Sequence, residues 1–155
     1  MKRIFIFSDT HDYIAGCAEV LRSDKADAVI HAGDHAHDAE ELQREFPEIP
    51  FFCVKGNCDF FSSEPSEIVI TQEGVRIFIT HGHLYNVKYE HDYRTLRKKG
   101  VDSGASLIVF GHTHIPYLDT DGKTTIVNPG SAGYGGTYAI ATLDQGKVRV
   151  DMASF

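Results

Sequence analysis

The chain has 155 residues, with 15 lysines and arginines against 22 aspartates and glutamates, nine histidines and a formal charge of −7. That length suits one domain, 1–155, able to bury about 68–70% of its unfolded surface, and the acidic balance argues against a nucleic-acid surface. Three cysteines, Cys17, Cys53 and Cys58, are an odd number without knuckle or redox spacing, which fits a reducing, cytoplasmic setting better than a disulfide framework.

Met1-Lys2-Arg3 is basic, but only four apolar residues follow before Ser8 and Asp9, far short of a leader's apolar region or a membrane span, so neither export nor a membrane is expected. Ile4–Phe7 reads as a buried strand. Asp12 to about Arg22 reads as an amphipathic helix buried through Ile14, Cys17, Ala18 and Leu21, with Asp12 as its cap. Ala28–His31 is a second strand in which His31 is a satisfied core residue, and a helix from about Asp38 to Phe46 stops at Pro47 and Pro50. Phe51–Val54 is a third strand; Glu67–Thr71 and Val75–Thr80 flank Gln72-Glu73-Gly74 as a hairpin. The segment Asn86–Gly100 places Tyr89, Tyr93 and Leu96 at helical spacing, with Arg94, Arg97, Lys98 and Lys99 near its end and Gly100 as the C-cap; His91 falls on its surface. Leu107–Phe110 is another strand. Asp121-Gly122 and Gln145-Gly146 then mark two hairpins, making the C-terminal part antiparallel. Gly130–Gly136 lacks phosphate-cradle spacing and reads as a mobile rim. The whole is a mixed α/β layered arrangement.

Five of the apolar runs end in an oxygen or imidazole donor. They lead to Asp9 and His11, to Asp34, to Asn57, to His81, and to His112 and His114. Ligands of open α/β sheets bind beyond the carboxyl ends of strands, so these seven side chains are expected on one rim. Asp9/His11 and His112/His114 are each two apart, which lets both members of a pair aim the same way. Carboxylate, amide oxygen and imidazole without thiolate suit Mn²⁺, Fe or Zn²⁺. Seven donors exceed one tetrahedral ion, and two ions about 3.5–4 Å apart are the arrangement that clamps both oxygens of a phosphoryl displacement.

Asp9-Thr10-His11, Gly33-Asp34, Gly56-Asn57-Cys58-Asp59, His81-Gly82-His83 and Gly111-His112-Thr113-His114, in that order from Phe7 to about Gly130, resemble the calcineurin-like metallophosphoesterases, especially their small YfcE-like phosphodiesterases. The resemblance implies a four-layer α-β-β-α sandwich with mixed sheets. It implies one ion on Asp9, His11, Asp34 and His114 and a second on Asp34, Asn57, His81 and His112, with Asp34 as the bridge and Mn²⁺ the leading metal (Fe, Ni or Zn the others). The implied activity is hydrolysis of a small phosphate ester by a hydroxide held between the ions. Asn128-Pro129-Gly130-Ser131 resembles the turn that closes these small members. Many relatives carry histidine as proton donor after the motif asparagine; this chain has Cys58, although small phosphodiesterases of this type resemble it there. His83 is the one extra histidine placed at the site, Asp59 either orients a neighbour or serves the turn, and His35 and His37 sit on the loop after Asp34. The alternative function is a non-catalytic, metal-binding scaffold of the Vps29 type. Homo-oligomerisation stays open, and neither a nucleic-acid nor a membrane partner is expected.

Overall fold

The computed structural model describes residues 1–155. One sheet runs β10-β9-β1-β2-β3, from β1 (Lys2–Phe7), β2 (Ala28–His31), β3 (Phe51–Cys53), β9 (Thr137–Asp144) and β10 (Lys147–Ser154). The other runs β4-β5-β6-β8-β7, from β4 (Glu67–Gln72), β5 (Val75–Thr80), β6 (Leu107–Val109), β7 (Tyr117–Thr120) and β8 (Thr125–Asn128). Three helices complete the chain: α1 (Ile14–Ser23), α2 (Ala36–Glu45) and α3 (Arg94–Asp102).

Side-chain alternation along β1 sets the layers. Ile4 and Ile6 point between the sheets and pack with Ile30, Ile77, Ile79, Leu107, Val109 and Leu143, whereas Phe5 and Phe7 point outward to Cys17, Ala18, Leu21 and Leu42 of α1 and α2. On the far side Phe78, Ile108, Phe110 and Ile126 pack against Leu96 of α3. Strands covered on both faces need no polar alternation, which is why they read as continuous apolar runs. The expected α-β-β-α sandwich with two mixed sheets is therefore present.

All three glycine hairpins form: β4 with β5, β7 with β8 and β9 with β10 are antiparallel. The hairpin tips of the two sheets join, Gly146 N–H donating to Glu73 O at 2.8 Å. The C-terminal part is not wholly antiparallel, since β8 runs parallel to β6.

The expected long helix over 86–100 is replaced by turns to residue 93, and α3 runs from Arg94 to Asp102. Tyr93 stands in the left-handed region at φ 55° and is buried edge-on against Phe110 and Tyr117, each 4.8 Å away between ring centres. Its burial comes from tertiary packing, not from a helical stripe. His91 is exposed, on a bend. Gly100 does not cap α3 but lies buried inside it, where a β-carbon would collide with Ile108. Asp12 does not cap α1 with its side chain; Tyr13 occupies that position. α2 begins two residues early because Ala36 N–H donates to the Asp59 carboxylate at 3.0 Å.

Candidate metal centre

β1, β2 and β3 are mutually parallel, as are β5 and β6, so each set releases its chain at one edge. Hydrogen bonds tie these exits together, two of them within a sheet and one between the sheets. Asp9 N–H donates to Gly33 O at 2.9 Å, Gly111 N–H to His81 O at 3.0 Å, and His112 N–H to Asp9 Oδ2 at 3.1 Å. The sharp exits place Asp9, His11, Asp34, His112 and His114 at φ between 45° and 71°, a region L-residues seldom adopt and one where strain gathers at functional sites. The neighbouring glycines allow the close approach: a β-carbon on Gly56 would collide with Asp34, and one on Gly111 with Ser8.

Five of the seven donors form two overlapping clusters, Asp9, His11 and His114, then Asp9, Asp34 and His81, and Asn57 and His112 lie beside the second. Asp9 is fully buried; its Oδ2 accepts from Ser8 Oγ at 2.5 Å, while Oδ1 lies 3.1 Å from His114 Nε2. His81 Nδ1–H donates to Ala32 O at 2.7 Å, which turns Nε2 toward Asn57 Oδ1 at 3.0 Å, Asp34 Oδ2 at 3.5 Å and Asp9 Oδ1 at 3.8 Å. His112 stands beside them with its ring centre 5.0 Å from that of His81. Asp9, rather than the expected Asp34, is common to the two clusters.

Four electron-pair donors facing one another are stable only around positive charge. The carboxylates draw positive charge to this point: burial lowers the His81 pKa, but Asp34 and Asp9 outweigh burial and raise it. Burial likewise opposes ionisation of Asp34, yet its bonds to His81 and Cys58 hold its carboxyl well below the usual carboxylate range. Three histidines of the rim are instead pushed toward the neutral form that binds metals. Burial lowers His11 and His83, and lowers His112 to about 4, with repulsion from His81 adding to the shift of the last two. His11 Nε2 and His83 Nδ1 are buried without any hydrogen-bond partner, as ligand nitrogens awaiting an ion would be. The donor set thus fits divalent cations.

Several supporting residues were only partly foreseen. Asp59 both orients its neighbours and serves the turn, because its carboxylate accepts from Asp34 N–H at 3.0 Å and Gly56 N–H at 2.7 Å. His31 is the expected satisfied core residue, bonded to Thr10 Oγ1 and to Gly33 N–H. The expected mobile rim is anchored over its first half: Ser131 Oγ donates to Asp9 O at 2.8 Å, and Ala132 N–H to Ser8 O at 3.0 Å. Beyond it Tyr134, 72% exposed, sets its ring 4.6 Å from that of His11. His35 also packs on His11, at 4.6 Å, whereas His37 is outside, paired with Glu41.

Residues 1–146 match the family model of the calcineurin-like phosphoesterase superfamily domain. The chain belongs to this superfamily. As a calcineurin-like phosphoesterase it is 32% identical over 131 residues to the probable metallophosphoesterase YsnB of Bacillus subtilis, covering 83% of this chain and 73% of that one. Relatives from Methanocaldococcus jannaschii and Escherichia coli are named phosphodiesterases. A predicted phosphoesterase from Streptococcus pneumoniae superposes with a TM-score of 0.80 at 28% identity, over 99% of this chain and 89% of that one. Vps29 of Entamoeba histolytica shares the fold, with a TM-score of 0.77 at 17% identity over 99% of both chains, and another structure of that protein is a complex with Zn²⁺. No helix is long and apolar enough to cross a membrane.

Proposed function

We propose that this calcineurin-like phosphoesterase is a divalent-metal-dependent phosphodiesterase of small phosphate esters, with 1–155 acting as one cytoplasmic unit. The observation that carries the reading is His81 Nε2, committed by its other nitrogen to Ala32 O and facing only the oxygens of Asn57, Asp34 and Asp9. Asp9, His11, Asp34 and His114 would hold one ion, and Asp34, Asn57, His81 and His112 the other, with Mn²⁺ favoured by the mixed oxygen and imidazole donors. Bound there, the ions would supply Lewis-acid polarisation of the phosphoryl oxygens and a nucleophile at neutral pH.

The chain's own residues do the rest. Ser8 and the His112 amide fix one Asp9 oxygen, leaving the other to face the rim, and Cys58 N–H holds Asp34 Oδ1 at 3.0 Å. His83 is partly buried beside His81 and His112, where its neutral imidazole would donate one hydrogen bond to a phosphoryl oxygen held at the ions. A scaffold role of the Vps29 kind uses the same fold, and ion binding alone does not separate the two; turnover does. The test is hydrolysis of bis(4-nitrophenyl) phosphate by protein loaded with Mn²⁺. Turnover abolished by chelation and restored by Mn²⁺ is expected, and no turnover with two ions bound would overturn the reading in favour of a scaffold.

A further inference from the structure

The loop after β3 does not end its work at Asn57 and Cys58. It continues into Phe60 and Phe61, which are 84% and 102% exposed. Phenylalanine is ordinarily drawn into a core, and adjacent exposed rings beside a polar rim mark a binding surface. The two rings border a groove of about 550 Å³ that they share with Cys58, Ser62 and, from α2, His37 and Glu40. That volume is in the range of small-ligand sites. The groove adjoins the candidate metal centre through Cys58, which lines it while its amide holds Asp34.

The lining states what would fit. Aromatic faces suit a flat ring, and base-on-aromatic stacking tolerates any base because each has a π-face. The carboxylate of Glu40 and the Ser62 hydroxyl offer an acceptor and a donor to a ring with a polar edge, which an alkyl chain lacks. Glu40 and the nearby Glu41 disfavour an anion, so the phosphate belongs at the metal centre and a neutral substituent in the groove. We propose that this groove takes a nucleobase-like substituent, making the substrate a small nucleotide ester. The inference rests on the phosphodiesterase reading for its reaction but not for its binding surface. In the reaction the oxygen of water bonds to phosphorus and gives up a proton to solvent, the P–O bond to the leaving group breaks, and that oxygen departs with the electron pair.

Three 4-nitrophenyl phosphodiesters, with thymidine 5′-, cyclohexylmethyl or methyl as the second substituent, share a leaving group and differ only in what the groove receives. With Mn²⁺ bound, the thymidine ester should exceed the methyl ester at least tenfold in kcat/KM. In Phe60→Ala/Phe61→Ala that ratio should fall about tenfold, through KM. A ratio unaffected by the double substitution overturns the proposal, as does a cyclohexylmethyl ester that gains as much as thymidine, which would mark a slot for lipid-like chains. The chain has no tryptophan, so Phe61→Trp places a single tryptophan in the groove, excited selectively over the seven tyrosines and readable without metal or turnover. Quenching by thymidine that is saturable and lost when Phe60→Ala is added supports the groove even where no ester is hydrolysed and the phosphodiesterase reading fails. Absence of quenching overturns the groove whatever the esters show.

Discussion

One carboxylate oxygen of Asp59 accepts the backbone N–H of both Asp34, at 3.0 Å, and Gly56, at 2.7 Å, so a single side chain fastens the loop carrying Asp34 to the loop carrying Asn57. Its other oxygen accepts Ala36 N–H at 3.0 Å, at the start of α2. Asp59 touches no ion site itself and acts by positioning Asp34. Partners that orient ligands are typically worth about 10–100-fold in metal affinity. Asp59→Ala is expected to weaken Mn²⁺ binding by that factor and to destabilise the fold by about 1–3 kcal/mol through unpaired amides. Calorimetric titration with Mn²⁺ checks it, and Asp59→Asn, which keeps one acceptor, should lie between. Unchanged affinity in Asp59→Ala would reduce the residue to turn chemistry.

The strand ends were legible because a fully covered strand is a run of apolar residues and its polar end is abrupt: Ile6-Phe7-Ser8-Asp9 and Val109-Phe110-Gly111-His112 announce themselves. What stayed hidden depends on neighbours distant in sequence. Tyr93 and Leu96 share a spacing, yet only Leu96 is helical, because Tyr93 is held between Phe110 and Tyr117. Glycine commonly ends helices, so Gly100 by itself predicts a stop, and nothing local records Ile108 pressing on it. For Asp59 the sequence leaves orientation of a neighbour and turn chemistry equally open, because its three amide partners come from two separate loops.

Gly100 offers a test of that packing. Alanine is a better helix former than glycine by about 1 kcal/mol, but a β-carbon here would collide with the fully buried Ile108, and overpacking a core costs about 1–3 kcal/mol. Gly100→Ala should therefore destabilise slightly despite the gain in propensity, as measured by urea unfolding. Adding Ile108→Val should recover more than the sum of the single effects, and strict additivity of the two substitutions would exclude the collision.

His31 gives a pH dependence. Its Nδ1 accepts Gly33 N–H at 3.1 Å, its Nε2–H reaches Thr10 Oγ1 at 2.9 Å, and Thr10 O–H donates to buried Asp38 at 2.6 Å. Burial lowers the His31 pKa to about 4 from an ordinary 6.5. The unfolded chain therefore takes up a proton near pH 6.5 that the native state resists until about pH 4. The contribution is complete above about pH 6.5 and is lost as pH falls through that window, by about 3 kcal/mol. Metal-free wild type should lose stability on acidification more steeply than His31→Gln; equal slopes would place the effect elsewhere.

Ion stoichiometry decides which carboxylate is shared. Two Mn²⁺ per chain are expected, and saturation at one would end the dinuclear proposal. With Asp34 as the bridge, Asp34→Asn should lower both ion affinities and reduce diesterase activity by more than about 10²-fold, since losing a ligand costs at least as much as losing a ligand's partner. His83→Gln should cost less. In this structure Asp9 joins both clusters, so Asp9→Asn is the informative comparison. If it removes both ions while Asp34→Asn removes one, the bridge is Asp9.

Cys58 stands where many relatives place a proton-donating histidine, and its surroundings favour an inert thiol. Burial, slight as it is, and then Asp34 raise its pKa, so it remains neutral at pH 7. Its backbone N–H, not its sulfur, does the visible work by holding Asp34 Oδ1 at 3.0 Å, and any residue but proline keeps that bond. A neutral thiol is a poor stand-in for imidazolium, and general acid catalysis is worth about 10²–10⁴-fold when a leaving group needs a proton. Nitrophenolate departs without one; an alkoxide does not. Cys58→His is therefore expected to accelerate an alkyl phosphodiester more than a nitrophenyl one at fixed Mn²⁺, while Cys58→Ser changes both little. A constant ratio of the two rates would assign the proton to His83 or to solvent, and loss of activity in Cys58→Ser alone would show that the sulfur itself takes part.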